Sequence, residues 1–227
     1  MTNRILLWVE HKARLIDALA KGEYEGTYAD ACLIASSVIS GLASLLWPGD
    51  DQIDRRRFVQ VWQKCSLASP GINLISVPIL IEHLEQDGKY AEAESLRASN
   101  PSAFNFGNSC RVLTSADVDL EEDSIQALCP SLTMKYIRVQ SYANIFYRYV
   151  RSAYVHEYRI ADYANAYPMA CSGSGISYVN LTVAPYRRIH FEALWIINLL
   201  KLIATKFEAE LLSPPINRPP KWWFDEA

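Results

Sequence analysis

The chain has 227 residues, of which 50% are hydrophobic and 21% charged, and its formal net charge is −3. That is enough apolar material for one domain with its own core, without disulfides or a structural metal. The composition is that of a soluble globular protein, and the charge balance excludes a globally basic nucleic-acid binder.

The helical period dominates from the start. Leu6, Val9, Ala13, Ile16 and Ala20 form one stripe at helical spacing. This N-terminal stretch carries charges too early and too often for a signal peptide. Thr27 with Asp30 predicts a capping box that opens a second helix, closed by Pro48-Gly49. Residues 31–47 are uncharged, but they are short for a membrane span and carry four serines and a glycine. A central buried helix, with no membrane contact, is the better reading. Asp54 is placed to cap a third helix, and Pro70-Gly71 breaks the chain after it. Two shorter helices follow over 74–88 and 89–99. Residues 100–118 read as loop, and Asp119 with Glu122 predicts a further helix cap. Pro130 precedes the longest helix, which Ser131 is placed to cap and which runs to about Glu157. "ISYVNLTV" (176–183) is the strongest strand candidate, with "YRRIHF" (186–191) or "AYPMA" (166–170) as its partner. A last helix runs from about His190 to Leu212.

The expected fold class is all-α: a helical bundle with a small β-hairpin insertion between the last two long helices. Residues 1–212 read as a single helical domain with extra helices over 54–98. Residues 213–227 read as an extended tail rich in Pro and Trp, in which Trp222 and Trp223 need a surface to cover. The five cysteines (Cys32, Cys65, Cys110, Cys129, Cys171) are scattered and form no C-x-x-C pair, which fits reduced thiols in a cytoplasmic protein. No Cys, His, Asp and Glu set has ligand spacing, so neither a metal nor another cofactor is expected. "CSGSG" (171–175) lacks the Lys-Ser/Thr of a phosphate cradle and reads as a turn.

Charge is unevenly spread. Residues 131–190 hold seven Lys or Arg (Lys135, Arg138, Arg148, Arg151, Arg159, Arg187, Arg188) against two acids, Glu157 and Asp162. Ten of the thirteen tyrosines fall in the same window. Arginines offer phosphate contacts and tyrosines offer stacking faces, so this is a local binding signal on an acidic body. Within it, Val139, Ala143, Phe146, Val150 and Ala153 form a buried stripe, while Tyr147, Arg151, Tyr154 and Tyr158 share an adjacent face. His156 lies five residues beyond Arg151, roughly 140° around a helix axis, within reach of a long arginine at a helix end. Imidazole can exchange a proton near neutral pH, and guanidinium holds phosphate in a fork. RNA brings its own nucleophile, the 2′-hydroxyl. Such a pair therefore suits metal-free RNA cleavage that leaves a 2′,3′-cyclic phosphate and a 5′-hydroxyl.

An all-α bundle carrying Arg, four to six residues and then His resembles the HEPN superfamily. "RSAYVHEY" fits the narrower form Arg-x4-His-x-Tyr (Arg151, His156, Tyr158), which resembles that of HEPN ribonuclease toxins encoded beside a nucleotidyltransferase antitoxin. "RILLWVEH" (Arg4, His11) matches only the broad pattern and is read as a decoy. The resemblance implies a homodimer in which the Arg–His pairs of two protomers face each other across a twofold axis. It implies a metal-independent endoribonuclease with Arg151 and His156 catalytic, in bacterial defence or a toxin system, with RNA and a cognate antitoxin or other partner protein as its partners. Tyr147, Tyr154, Tyr158, Arg148, Arg187 and Arg188 are the candidate substrate-binding residues. The alternative is a catalytically silent HEPN-like module that binds a nucleotide, RNA or a protein. It is favoured by Ser152, which stands where the family usually has Asn, Asp or His after the arginine.

Overall fold

The computed structural model describes residues 4–48, 54–66, 71–104, 113–157, 159–165, 175–181, 187–211 and 221–225. Helices dominate, and one small antiparallel sheet stands beside them, as the periodicities imply.

Three long helices make the centre. α1 (Arg4–Ala20) buries Val9, Ala13 and Ile16, the middle of its predicted stripe. α2 (Tyr28–Leu46) opens on the predicted capping box: Thr27 accepts from the Asp30 backbone, and the Asp30 carboxylate accepts from Thr27. α12 (Ala193–Leu211) packs against both, and α3 (Asp54–Ser66) packs against α2 and α12. Among the described residues α2 is the one helix long and apolar enough to cross a membrane. Half of that span is buried inside the bundle, where Cys32, Ala35, Ile39 and Leu42 are shielded by the neighbouring helices.

A second layer follows. α4 (Val77–Gln86) and α5 (Tyr90–Ser99) pack as a pair, joined through Gly88 at φ 72. Residues 100–118, expected as loop, contain α6 (Pro101–Phe104), β1 (Leu113–Thr114) and α7 (Ser115–Val118). A second capping box, Thr114 with Asp117, sets α7 and is the signal that the loop reading passed over. α8 (Glu122–Leu128) comes next. The predicted hairpin forms from β2 (Ile176–Asn180) and β3 (Arg187–Phe191), and β1 extends it to three strands in the order β1-β2-β3. His190 is a strand residue paired with Ser177, so the last helix starts three residues later than expected, at Ala193. "AYPMA" lies outside the described residues. Gly175 enters β2 at φ 74, and a Cβ there would come within 2.3 Å of the Trp195 ring, so glycine meets both demands.

Asp119 corrects another expectation. It caps nothing at α8; its side chain turns into the core. Its carboxylate accepts from the Val77 amide at 3.0 Å, the Tyr142 hydroxyl at 2.5 Å and the Tyr178 hydroxyl at 2.6 Å. Tyr178 also bonds Ser76 Oγ at 2.8 Å, so the sheet, α4 and the helix that begins at Tyr142 meet on one acid. Burial pushes the Asp119 carboxyl up to about 7, against the pull of its three donors. His190, 2% exposed beside Tyr28, is pushed down to about 4 by burial.

These two groups give opposite pH slopes. Raising the folded value of an acid gives stability that is full below about pH 4 and lost as pH rises through about 7. Lowering the folded value of a base gives stability that is present above about pH 6.5 and lost as pH falls towards 4. Urea unfolding of Asp119→Asn should therefore show stability rising more steeply from pH 4.5 to 6.5 than in wild type. His190→Leu should show stability rising less steeply with pH than in wild type over the same range. Identical slopes in all three proteins would refute the assignment.

The predicted longest helix is broken. α9 (Met134–Arg138) ends early, and residues 139–141 turn to exchange backbone hydrogen bonds with the segment before α4: Ser76 N donates to Gln140 O, and Tyr142 N donates to Leu74 O. Thr133, not Ser131, caps α9, and Ser131 instead donates to Glu92. Backbone pairing of this kind leaves no mark on side-chain periodicity.

The tail finds its surface within the chain. Trp222 is 5% exposed and meets Trp47 edge-on at 5.5 Å. The Arg138 guanidinium lies over the Trp223 ring and donates to its carbonyl at 2.6 Å, while Asp225 pairs with Arg56 at 2.7 Å. Residues Trp223–Asp225 form a 3-10 turn where extended chain was expected. The tryptophan pair is thus covered by Trp47 and Arg138 of its own chain. Trp222→Ala should cost about 3 kcal/mol in denaturant unfolding, the scale for truncating a buried aromatic. An unchanged midpoint would show that the tail is not docked in solution.

Candidate functional site

The motif lies on a continuous helix over residues 142–157. Ser141 caps it, accepting from the Asn144 amide. α10 (Tyr142–Ile145) passes into a π-helical stretch (Phe146–Ser152) and then α11 (Ala153–Glu157). A π turn holds more residues than an α turn, and such turns recur at functional sites. Ala143, Phe146, Val150 and Ala153 are buried as predicted, whereas Val139 lies before the break and is only half-buried. Tyr149 joins the buried side, brought in by the widened turn.

Arg151 sits within this stretch, turned toward α3. Its guanidinium pairs with Asp54 Oδ2 at 2.6 Å and donates to the Tyr147 hydroxyl at 3.1 Å, with the Tyr147 ring 4.8 Å below it. Tyr147 donates to the same carboxylate oxygen of Asp54 at 3.0 Å and packs edge-on against Phe58. Two of the five guanidinium N–H groups are used, and the pair is partly exposed, with side-chain exposures of 22% and 27%. Asp54 was expected as a cap, and its role as anchor for Arg151 joins positions too far apart in sequence for any local spacing to reveal.

Tyr154 donates to Asp30 at 2.7 Å, tying α11 to the capping box of α2. The Thr27 hydroxyl and then the Tyr154 hydroxyl hold the Asp30 carboxyl below its usual range. His156 is exposed, and among the described residues it makes no hydrogen bond or ion pair. Arg151 and His156 thus share one helix end, and no hydrogen bond joins them among the described residues. Tyr158 lies outside the described residues.

The other candidates go elsewhere. Arg148, exposed, lies over the Tyr149 ring, whereas Arg151 lies over that of Tyr147. Arg187 is 3% exposed and helps line a cleft of about 470 Å³ with Pro78, Ile81, Glu82, Glu85 and Arg97. Its amide donates to Glu82 at 2.8 Å, and burial lowers its guanidinium to about 10. Arg188, the next residue on β3, faces the opposite side of the sheet. Arg4 and His11, the decoy pair, are both exposed on α1. Among the described residues no group of three potential metal ligands occurs, and Cys32 and Cys129 are free thiols. Burial pushes Cys32 up to about 12, which makes it an inert thiol. No family model, curated protein or solved structure matches the chain.

Proposed function

We propose that the protein is a metal-independent endoribonuclease of the HEPN type, with a site assembled from two copies of the chain. His156 supplies the acid–base group. Arg151 supplies the cation that steadies charge at phosphorus. The observation that carries this reading is the imidazole of His156, exposed and unbonded among the described residues, five residues beyond an arginine whose position is fixed by Asp54 and Tyr147. The guanidinium keeps N–H groups for a phosphate beyond the two already used. A second copy is part of this reading, and no hydrogen bond joins the two side chains among the described residues of one protomer. The test is sedimentation at micromolar concentration together with cleavage of RNA in EDTA. A monomer, or a folded dimer without cleavage, counts against the reading.

The second reading is a silent RNA-binding module of similar build. It is favoured by the ion pair itself, because Asp54 already neutralises Arg151. Under that reading His156→Ala leaves RNA binding unchanged, and no cleavage is seen in any variant.

A further inference from the structure

α4 turns one face toward a cleft away from the motif. Pro78, Ile81, Glu82 and Glu85 recur on that face at helical spacing. Arg97 reaches the cleft from α5, Phe104 from α6 and Arg187 from the start of β3. The space is about 470 Å³, inside the usual range of about 300–1,000 Å³ for small-molecule sites.

The charges of the lining come in two opposed pairs. In the outer pair the Arg97 guanidinium donates to the Glu85 carboxylate at 2.5 Å, with side-chain exposures of 32% and 33%. The inner pair is buried: Glu82 is 7% exposed and Arg187 is 3% exposed. The Arg187 amide donates to Glu82 Oε1 at 2.8 Å. Burial lowers the Arg187 guanidinium to about 10, against the pull of the Glu82 charge, so it remains a cation at pH 7. The rest of this part of α4 is apolar, with Val77, Ile79, Leu80, Ile81 and Leu84 buried. Packing alone would be served by an aliphatic residue at position 82, because a buried carboxylate is costly even when paired. Opposite charges buried together at the wall of a cavity are instead the mark of a binding site.

The balance of the lining selects the ligand. A pure anion would meet two carboxylates, and a pure cation would meet two guanidinium groups. A small zwitterion satisfies both signs. Pro78, Ile81 and Phe104 leave an apolar wall for whatever else the zwitterion carries.

We propose that this cleft binds a free α-amino acid with an apolar side chain, its carboxylate held by Arg187, its ammonium by Glu82 and its side chain against Ile81 and Phe104. The site is separate from Arg151 and His156 and does not depend on cleavage.

The test is isothermal titration calorimetry of the full chain with L-leucine and L-phenylalanine. At least one should bind saturably, one ligand per chain. The tighter of the two is then compared with its amine and its acid: isoamylamine and isocaproate for leucine, phenethylamine and hydrocinnamate for phenylalanine. Each analogue should bind about tenfold or more weakly, the scale for losing one hydrogen-bonded charge. Glycine should also be about tenfold or more weaker, for want of a side chain to bury. Glu82→Gln keeps the volume and an acceptor for the Arg187 amide. It should weaken the amino acid by about tenfold or more and leave the acid analogue, which has no ammonium, within twofold. Arg187→Lys keeps the charge and loses the fork, so it should weaken the amino acid and spare the amine. No binding of either amino acid at millimolar concentration overturns the proposal. So does an amine or acid analogue that binds within twofold of its amino acid, or a folded Glu82→Gln that binds the amino acid within twofold of wild type. The analogue comparison needs wild type alone, so it decides the matter even if a variant does not fold. Neither result bears on RNA cleavage, which uses no residue of this cleft.

Discussion

Asp119→Ala should destabilise the protein by about 3–5 kcal/mol, among the largest effects of any single polar substitution here. The carboxylate collects three donors, from Val77, Tyr142 and Tyr178, and all three are buried. Tyr178 can still use Ser76 when the acid is gone. The Tyr142 hydroxyl keeps the Ser115 and Tyr178 hydroxyls beside it, but the Val77 amide is left without its acceptor, and a stranded buried donor costs about 1–3 kcal/mol. The loss should spread beyond α4, because Asp119 also joins β2 and the helix that begins at Tyr142. Asp119→Asn keeps an acceptor and the volume, so its cost should be clearly smaller. The check is urea unfolding of both variants at pH 8, where the acid is ionised. Equal costs for Ala and Asn would mean that packing, not the acceptor, is what matters there.

His156→Ala should lower RNA cleavage by about a hundredfold or more, the usual scale for losing an acid–base group. Stability should change by less than about 1 kcal/mol, because the side chain is exposed and makes no bond among the described residues. Arg151→Lys should also be severely impaired. An ammonium keeps the charge but cannot hold Asp54 and Tyr147 at once while offering a fork to phosphate. Its stability cost should stay near 1 kcal/mol, since Asp54 keeps the Tyr147 hydroxyl and lies 3.5 Å from Arg57. The informative pattern is lost cleavage with unfolding nearly unchanged. Cleavage by His156→Ala at the wild-type rate would remove the histidine from the chemistry.

Local chemistry was the legible part of this fold. The Thr27–Asp30 cap, the α1 stripe and the β2–β3 pairing all depend on neighbours in sequence, so spacing reveals them; most of the turn expected at 171–175 lies outside the described residues. The break at 139–141 was hidden because it is a backbone exchange with Leu74 and Ser76. Asp119 looked like a cap because an acid before a helix usually is one; only the packed sheet turns it inward. The docked tail depends on Trp47, Arg138 and Arg56, none of which is near it in sequence. For the candidate site, the sequence picked out the residues but not their partners. Spacing placed Arg151 and His156 at one helix end, but it did not foresee that Asp54 holds the arginine. It grouped Arg148, Arg187 and Arg188 with that motif by composition, and the fold sends them to separate surfaces.

Incubation of folded wild-type protein with RNA in EDTA, followed by analysis of the product ends, tests the central claim most directly. The account predicts cleavage that persists without metal and leaves 2′,3′-cyclic phosphate and 5′-hydroxyl termini, because the 2′-hydroxyl is the nucleophile. No cleavage across a broad RNA panel, or products with 5′-phosphate ends, would contradict it.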